Sequence, residues 1–230
     1  MIRATLHISV ALLILAAASP ALAQEPATYS LTPFVGLHLP TADLVGNQTV
    51  PQSGPLDPET FRMKQETALA LGLRGSRSLT SNLWLEVELQ YAASAIQRTA
   101  TRREPLPEPT KTLDAVVFTL GANVLWEVFR APFTPFAIHL LGGLAVINRS
   151  GEFFTESGEL GGELFEGLDG GTDIALIVGS GFRYGLSPKL TVRLDARDYV
   201  SYYTQSLAGA EFDAELQNDL WITGGIEFTL

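Results

Sequence analysis

The sequence predicts an all-β protein, an eight-stranded antiparallel up-and-down barrel, on three observations. Eight segments alternate between apolar and small or polar residues with a period of two. Several of them run to about ten to sixteen residues, longer than the usual strand of about five or six. The connections between them alternate long and short, as they do when tight turns lie at one end of a barrel and open loops at the other.

Taken in order, residues 1–23 stand apart. Arg3 and His7 precede an apolar run over residues 8–18, Pro20 breaks it, and Ala21-Leu22-Ala23 has the small-x-small form of a signal-peptidase site. The run is shorter than the roughly 20 residues a helix needs to cross a bilayer. The expectation is therefore a cleaved signal peptide (1–23) and one mature domain (24–230), not a helical anchor. Losing Arg3 takes the 15 Lys and Arg to 14 against 25 Asp and Glu, a formal charge of −11. That surplus argues against nucleic acid as a partner. The chain has no cysteine, which excludes disulfides, thiolate metal sites and a lipid-modified N-terminal Cys.

The alternating segments are 29–39, 67–76, 82–96, 113–128, 133–147, 173–184, 190–203 and 219–230. The connections are 40–66, 97–112, 148–172 and 204–218 on the long side, and 77–81, 129–132 and 185–189 on the short side. The clearest pair is 173–203. In its second half Val192, Leu194 and Ala196 alternate with Arg193, Asp195 and Arg197, and Gly185-Leu186-Ser187-Pro188 combines the residue types that tight turns need. A hairpin symmetric about Ser187 puts Arg193 opposite Gly181 and Asp195 opposite Gly179.

Alternation alone does not say which face is outside, because a soluble lipocalin-type barrel alternates too, with its apolar face inward. Residue usage decides for lipid outside. The only three lysines, Lys64, Lys111 and Lys189, fall in connections. One face is mostly small: Ala68, Ala70 and Gly72; Thr119, Gly121 and Asn123; Ala175, Gly179 and Gly181; Thr223 and Gly225. The other suits hydrocarbon: Leu69, Leu71 and Leu73; Leu83, Leu85, Val87 and Leu89; Val116, Phe118, Leu120 and Val124; Leu220, Ile222, Ile226 and Phe228. Tyr29, Tyr91, Trp126, Tyr184, Tyr199 and Tyr202 fall towards segment ends, where interfacial aromatic girdles form.

The small face then carries Arg74, Glu86, Glu88, Arg183, Arg193, Asp195, Arg197 and Glu227, four residues of each sign. Eight strands enclose a space that side chains just fill. Unpaired charge there is costly, so mutual pairing into a structural plug is expected. An ion or proton path through the same network is the alternative.

The leader, the eight alternating segments, the hairpin from Gly179 through Pro188 into Leu190–Tyr199 and the closing strand together resemble the small outer-membrane-protein β-barrel family. The architecture is similar to that of opacity-type proteins and of the barrel of outer membrane protein A. Ile222, Gly224, Ile226, Phe228 and Leu230 resemble the terminal signal by which the barrel assembly machinery recognises such chains, although a final Leu stands where Phe is usual. The resemblance implies a monomer in the outer membrane, in contact with its lipid and with lipopolysaccharide. It fixes no activity.

Specific function therefore falls to the loops. The third, 148–172, holds Glu152, Glu156, Glu159, Glu163, Glu166 and Asp169, a candidate divalent-cation loop that lacks calcium-loop spacing and reads better as solvated charge. A lipid A-modifying enzyme needs His beside Ser and a carboxylate at the membrane interface. Outside the leader only His38 and His139 occur, and His139 lies in mid-segment on the small face. There is no G-x-S-x-G, phosphate loop or H-E-x-x-H. The expectation is a non-enzymatic barrel without cofactor or metal, with a structural or surface-interaction role. A minor channel is the runner-up.

Overall fold

The computed structural model describes residues 28–50, 59–101, 110–152, 158–160, 163–165, 171–207 and 210–230. The leader 1–23, the boundary at residue 24 and about half of the third loop (153–157, 161–162 and 166–170) lie outside them. The strands are β1 (Tyr29–Pro40), β2 (Val45–Val50), β3 (Glu59–Gln65), β4 (Ala68–Ser78), β5 (Leu83–Thr101) and β6 (Thr110–Arg130), followed by β7 (Phe136–Ser150), β8 (Gly158–Leu160), β9 (Glu163–Phe165), β10 (Thr172–Ser187), β11 (Leu190–Leu207) and β12 (Ala210–Thr229). Antiparallel pairing runs β1–β4–β5–β6–β7–β10–β11–β12 and returns from β12 to β1, closing eight walls.

The walls are taller than the alternation suggests. Much of the first connection is itself strand: β2 pairs with β3, and β3 continues the β4 wall along β5 after a break at Glu66, whose amide bonds Ala95 O. Half of the second connection and most of the fourth are likewise extensions of β5 and β6, and of β11 and β12, which pair as far as Thr99↔Thr110 and Leu207↔Ala210. Most of those extensions are polar and carry no apolar period, although Ala210, Phe212, Ala214 and Leu216 on β12 do alternate with Glu211, Asp213, Glu215 and Gln217. Their ladder bonds come from the neighbouring strand instead.

Strand stagger fixes what meets inside. A circuit across paired residues runs Ser30, Ser76, Glu86, Asn123, Gly143, Ile177, Tyr199 and Asp219. Ser30 itself pairs with Thr229, so the circuit returns to β12 ten residues away from its start, at Asp219. That shear tilts the strands and sets the barrel radius.

The hairpin of β10 and β11 turns at Pro188-Lys189, not about Ser187. Gly185 pairs with Thr191 and Ser187 with Leu190, with a bulge between. Proline at the second position of a turn matches its fixed φ. This one-residue displacement of the centre moves every pairing by two: Arg193 faces Arg183, Asp195 faces Gly181, and Arg197 faces Gly179.

The exterior is apolar. Leu69, Leu71, Leu73, Leu89, Phe118, Val124, Ile222 and Phe228 are exposed, and Tyr29, Tyr91, Trp126, Tyr184 and Tyr202 stand on the same outer surface. Tyr199 does not belong to the girdle: it is 0 % exposed and points inward, because it shares the parity of Arg193 and Arg197. One outward group breaks the apolar belt. Asp198 lies between Val178 and Leu220 on the neighbouring strands, and its Oδ1 is buried without a hydrogen-bond partner. Replacing Asp198 with Val is expected to stabilise the barrel by up to about 1 kcal/mol, since a lipid-facing acid is mildly unfavourable. Urea titration of the protein folded in lipid measures this, and a loss of stability would mean that the carboxylate has a partner at that face.

Candidate functional site: a charged and aromatic lumen

Alternation delivers the eight charged residues of the small face to the lumen, and the stagger brings their tips together. Arg74, Glu86, Glu88, Arg193 and Arg197 are each at most 1 % exposed. Arg74 on β4 reaches Glu88 Oε2 (3.2 Å) and Asp195 Oδ2 (2.9 Å), donates to Thr223 Oγ1 (2.9 Å), and lies over the Phe34 ring at 3.9 Å. Arg197 spans the lumen from β11 to β5, contacting Glu88 Oε2 (2.5 Å) and Glu86 Oε1 (2.8 Å). Arg193 pairs with Glu86 Oε2 (2.5 Å) and with Asp195 Oδ2 (2.9 Å). Arg183 and Glu227 complete the turn end at 3.2 Å, with the Arg183 guanidinium 5.0 Å from the Trp84 ring.

Neutral groups fill the remaining hydrogen-bonding capacity. Glu88 Oε1 accepts from Asn123 Nδ2 (3.1 Å) and from the Tyr199 hydroxyl (2.5 Å), to which Gln90 also donates. Ser76 donates to Glu86 (3.1 Å). His139 Nε2 bonds Asp195 Oδ1 at 2.8 Å. Buried ions bonded in this way on most of their lone pairs and protons escape the cost of isolation. Glycine makes room for them: a Cβ on Gly181 would come within 2.7 Å of Asp195 Oδ1 and 2.8 Å of His139 Cε1.

Towards the loop end the lumen changes character. Tyr199 and Trp221, both fully buried, pack with Ile177, Ile147 and the small residues Ala68, Ala70, Ala92, Ala145 and Ala175 into an apolar layer. Beyond it lies a second charged cluster that the sequence reading missed. Arg149 reaches Asp173 Oδ2 (2.7 Å) and Asp219 Oδ2 (2.5 Å), while His38 Nε2 bonds Asp219 Oδ1 (3.1 Å) and its ring stands 4.6 Å from Trp221. Parity was the available signal. Asp219 is in phase with Thr223 and Gly225, Asp173 with Ala175 and Gly179, and His38 with Phe34.

The acidic third loop is only partly described. Glu152 is exposed, directly after Gly151, whose φ of 123° ends β7 in a conformation that favours glycine. Glu159 and Glu163 fall in β8 and β9, which pair as a two-stranded ribbon through Glu159↔Leu164 and Leu160↔Glu163. Glu156, Glu166 and Asp169 lie outside the described residues.

A closed eight-stranded barrel with hydrocarbon-suited residues outside and paired ions inside is a small outer-membrane barrel. The chain belongs to the outer membrane protein beta-barrel domain family, whose model matches residues 8–228. Comparison with curated proteins finds no match at the sequence level. Among solved structures, the outer membrane protein OprG of Pseudomonas aeruginosa is similar with a TM-score of 0.59 and 11 % identity, over 90 % of this chain and 97 % of that one. The outer membrane protein AlkL, determined in lipid bilayers, gives 0.51 and 14 %, over 92 % and 95 %. Neisserial surface protein A gives 0.50 and 13 %, over 89 % and 99 %. At these identities the likeness is one of fold, and the location in the outer membrane follows from the family.

Proposed function

We propose that this protein is a monomeric, side-chain-plugged outer-membrane barrel with a structural or surface-interaction role. Its loop-end walls and acidic third loop meet lipopolysaccharide or an external partner. The observation that carries this reading is the lumen itself: Arg74, Arg193 and Arg197 cross it to Glu86, Glu88 and Asp195 with no more than 3 % of any of the six exposed. Such a cross-section is filled with bonded side chains. The even strand number and closing β12 strand support delivery by the barrel assembly machinery, and the leader 1–23 supports export by a cleaved signal.

The geometry of His139 supports a non-enzymatic reading. Its Nε2 is directed at Asp195 inside the lumen, away from the surface that acyl chains touch. Planar-bilayer recording tests the proposal. The full chain, and a chain with residues 153–170 excised, are both expected to fold into heat-modifiable barrels and to show no conductance above the lipid background. Stepwise conductance in the full chain would replace this reading with a channel, and failure of the excised chain to fold would show that the third loop is part of the scaffold.

A further inference from the structure

Many polar atoms of the lumen find a partner within it, but a group at the turn end does not. Among the described residues, Arg183 Nε and Nη2 on β10, Trp84 Nε1 on β5, Glu227 Oε2 on β12 and Ser30 Oγ on β1 are buried without a hydrogen bond. They gather about one guanidinium. The Trp84 ring stands 5.0 Å from Arg183 Cζ, and Glu227 Oε2 lies 3.2 Å from Nη2, close enough for ionic attraction but without the alignment of a hydrogen bond. Ser30 pairs with Thr229, which makes it the diagonal neighbour of Glu227 on the inner face. Arg193 stands 3.6 Å from the same Glu227 oxygen but is committed to Glu86 and Asp195.

Exposure shows from which side this group is reached. Arg183 and Glu227 are 7 % and 4 % exposed, whereas Arg74, Arg193 and Arg197, further in, are 0 % exposed. Gly185, two residues from Arg183 towards the turn, puts no side chain across the mouth. The turns are the periplasmic end of such a barrel.

We propose that the turn end of the lumen is a water-binding site, in which bound water bridges Trp84 Nε1, Arg183 Nε and Glu227 Oε2 and exchanges with the periplasmic side. The mixture of atoms decides the occupant. The indole and guanidinium N–H groups only donate, the carboxylate only accepts, and the Ser30 hydroxyl does both. An anion among them meets Glu227, a cation meets Arg183, and an apolar guest leaves every one of them unbonded. Water both donates and accepts, and a buried water makes about three such bonds. The lumen is thereby divided along its axis into a hydrated mouth at Arg183 and Glu227 and the ion-paired plug that begins at Arg193. The site does not depend on the plug reading, since a barrel that conducts can still hold this water.

The test is NMR of the full chain in lipid with 15N-labelled tryptophan, the Trp84 indole signal being assigned by its loss in Trp84→Phe. In wild type the Trp84 indole proton is expected to show a rotating-frame Overhauser peak to water, with the sign of direct dipolar contact and not of chemical exchange. Ser30→Ala should keep that peak, which separates bound water from magnetisation relayed through the hydroxyl. Arg183→Leu combined with Glu227→Met removes both partners of the ion pair, so it strands neither charge, and it should weaken the peak several-fold. If the double variant does not fold, wild type and Ser30→Ala decide between them. Absence of the peak in wild type, its loss in Ser30→Ala or an undiminished peak in the double variant overturns the site. Conductance in planar bilayers with the peak intact would remove the plug and leave the water site standing.

Discussion

Glu88→Ala is expected to cost the barrel about 3–5 kcal/mol, the range for removing one partner of a buried ion pair. Glu88 is held by four groups: Arg74 Nε (3.2 Å), Arg197 Nη1 (2.5 Å), Asn123 Nδ2 (3.1 Å) and the Tyr199 hydroxyl (2.5 Å) all converge on it. Truncation leaves Arg197 and Arg74 with Glu86 and Asp195 to share, in a cross-section where neither guanidinium reaches solvent. Glu88→Gln separates charge from bonding, because it can still bond Tyr199 but no longer compensates Arg197. It should fall between Glu88→Ala and wild type. Equilibrium urea unfolding in lipid checks both variants. A cost for Glu88→Ala within about 1 kcal/mol of zero would mean that water enters and solvates the arginines, contrary to the plug.

Trp221→Ala is the second large effect, at about 3–5 kcal/mol for loss of a fully buried indole. Trp221 separates the two charged clusters, with His38 at 4.6 Å on one side and Tyr199 at 6.0 Å on the other. Its cross-strand neighbours His38 and Arg197 are tied to carboxylates, and much of the rest of the layer is alanine (Ala68, Ala70, Ala92, Ala145 and Ala175), too short to fill the space. The predicted loss reads out in the same unfolding assay. A loss below about 1 kcal/mol would show that the walls collapse onto the gap, which a closed ladder of hydrogen bonds resists. Because Glu88 bonds Tyr199, and Tyr199 packs on Trp221, the double variant should cost less than the sum of the two.

The parts of this protein that were readable in its sequence are those that depend on parity. Leu69, Leu71 and Leu73 against Ala68, Ala70 and Gly72 declare two faces, and residue usage assigns the leucines to lipid. The same parity places Arg193, Asp195 and Arg197 inside. It applied equally to Tyr199, Asp219 and His38, which were misread or passed over because aromatic residues near segment ends suggest a girdle and because Asp219 and Asp173 fell at the edges of their segments. Arg149 lay beyond its segment altogether, since the polar run Asn148-Arg149-Ser150 interrupts the apolar period at residue 147 while the ladder continues to Ser150.

By itself, then, the chain determined strand number, the two faces and the membrane setting, because each is a local consequence of side chains alternating along an extended backbone. Which charges meet was decided only by the tertiary structure. Partners such as Arg74 and Asp195 are 121 residues apart, and they touch because a turn centred on Pro188-Lys189 and a ten-residue stagger set the height of every strand against its neighbours. A shift of one residue at that turn moves each opposing pair by two, so register, a property of the closed sheet, converts a row of alternating charges into a plug at one end and brings a second set of ion pairs together at the other.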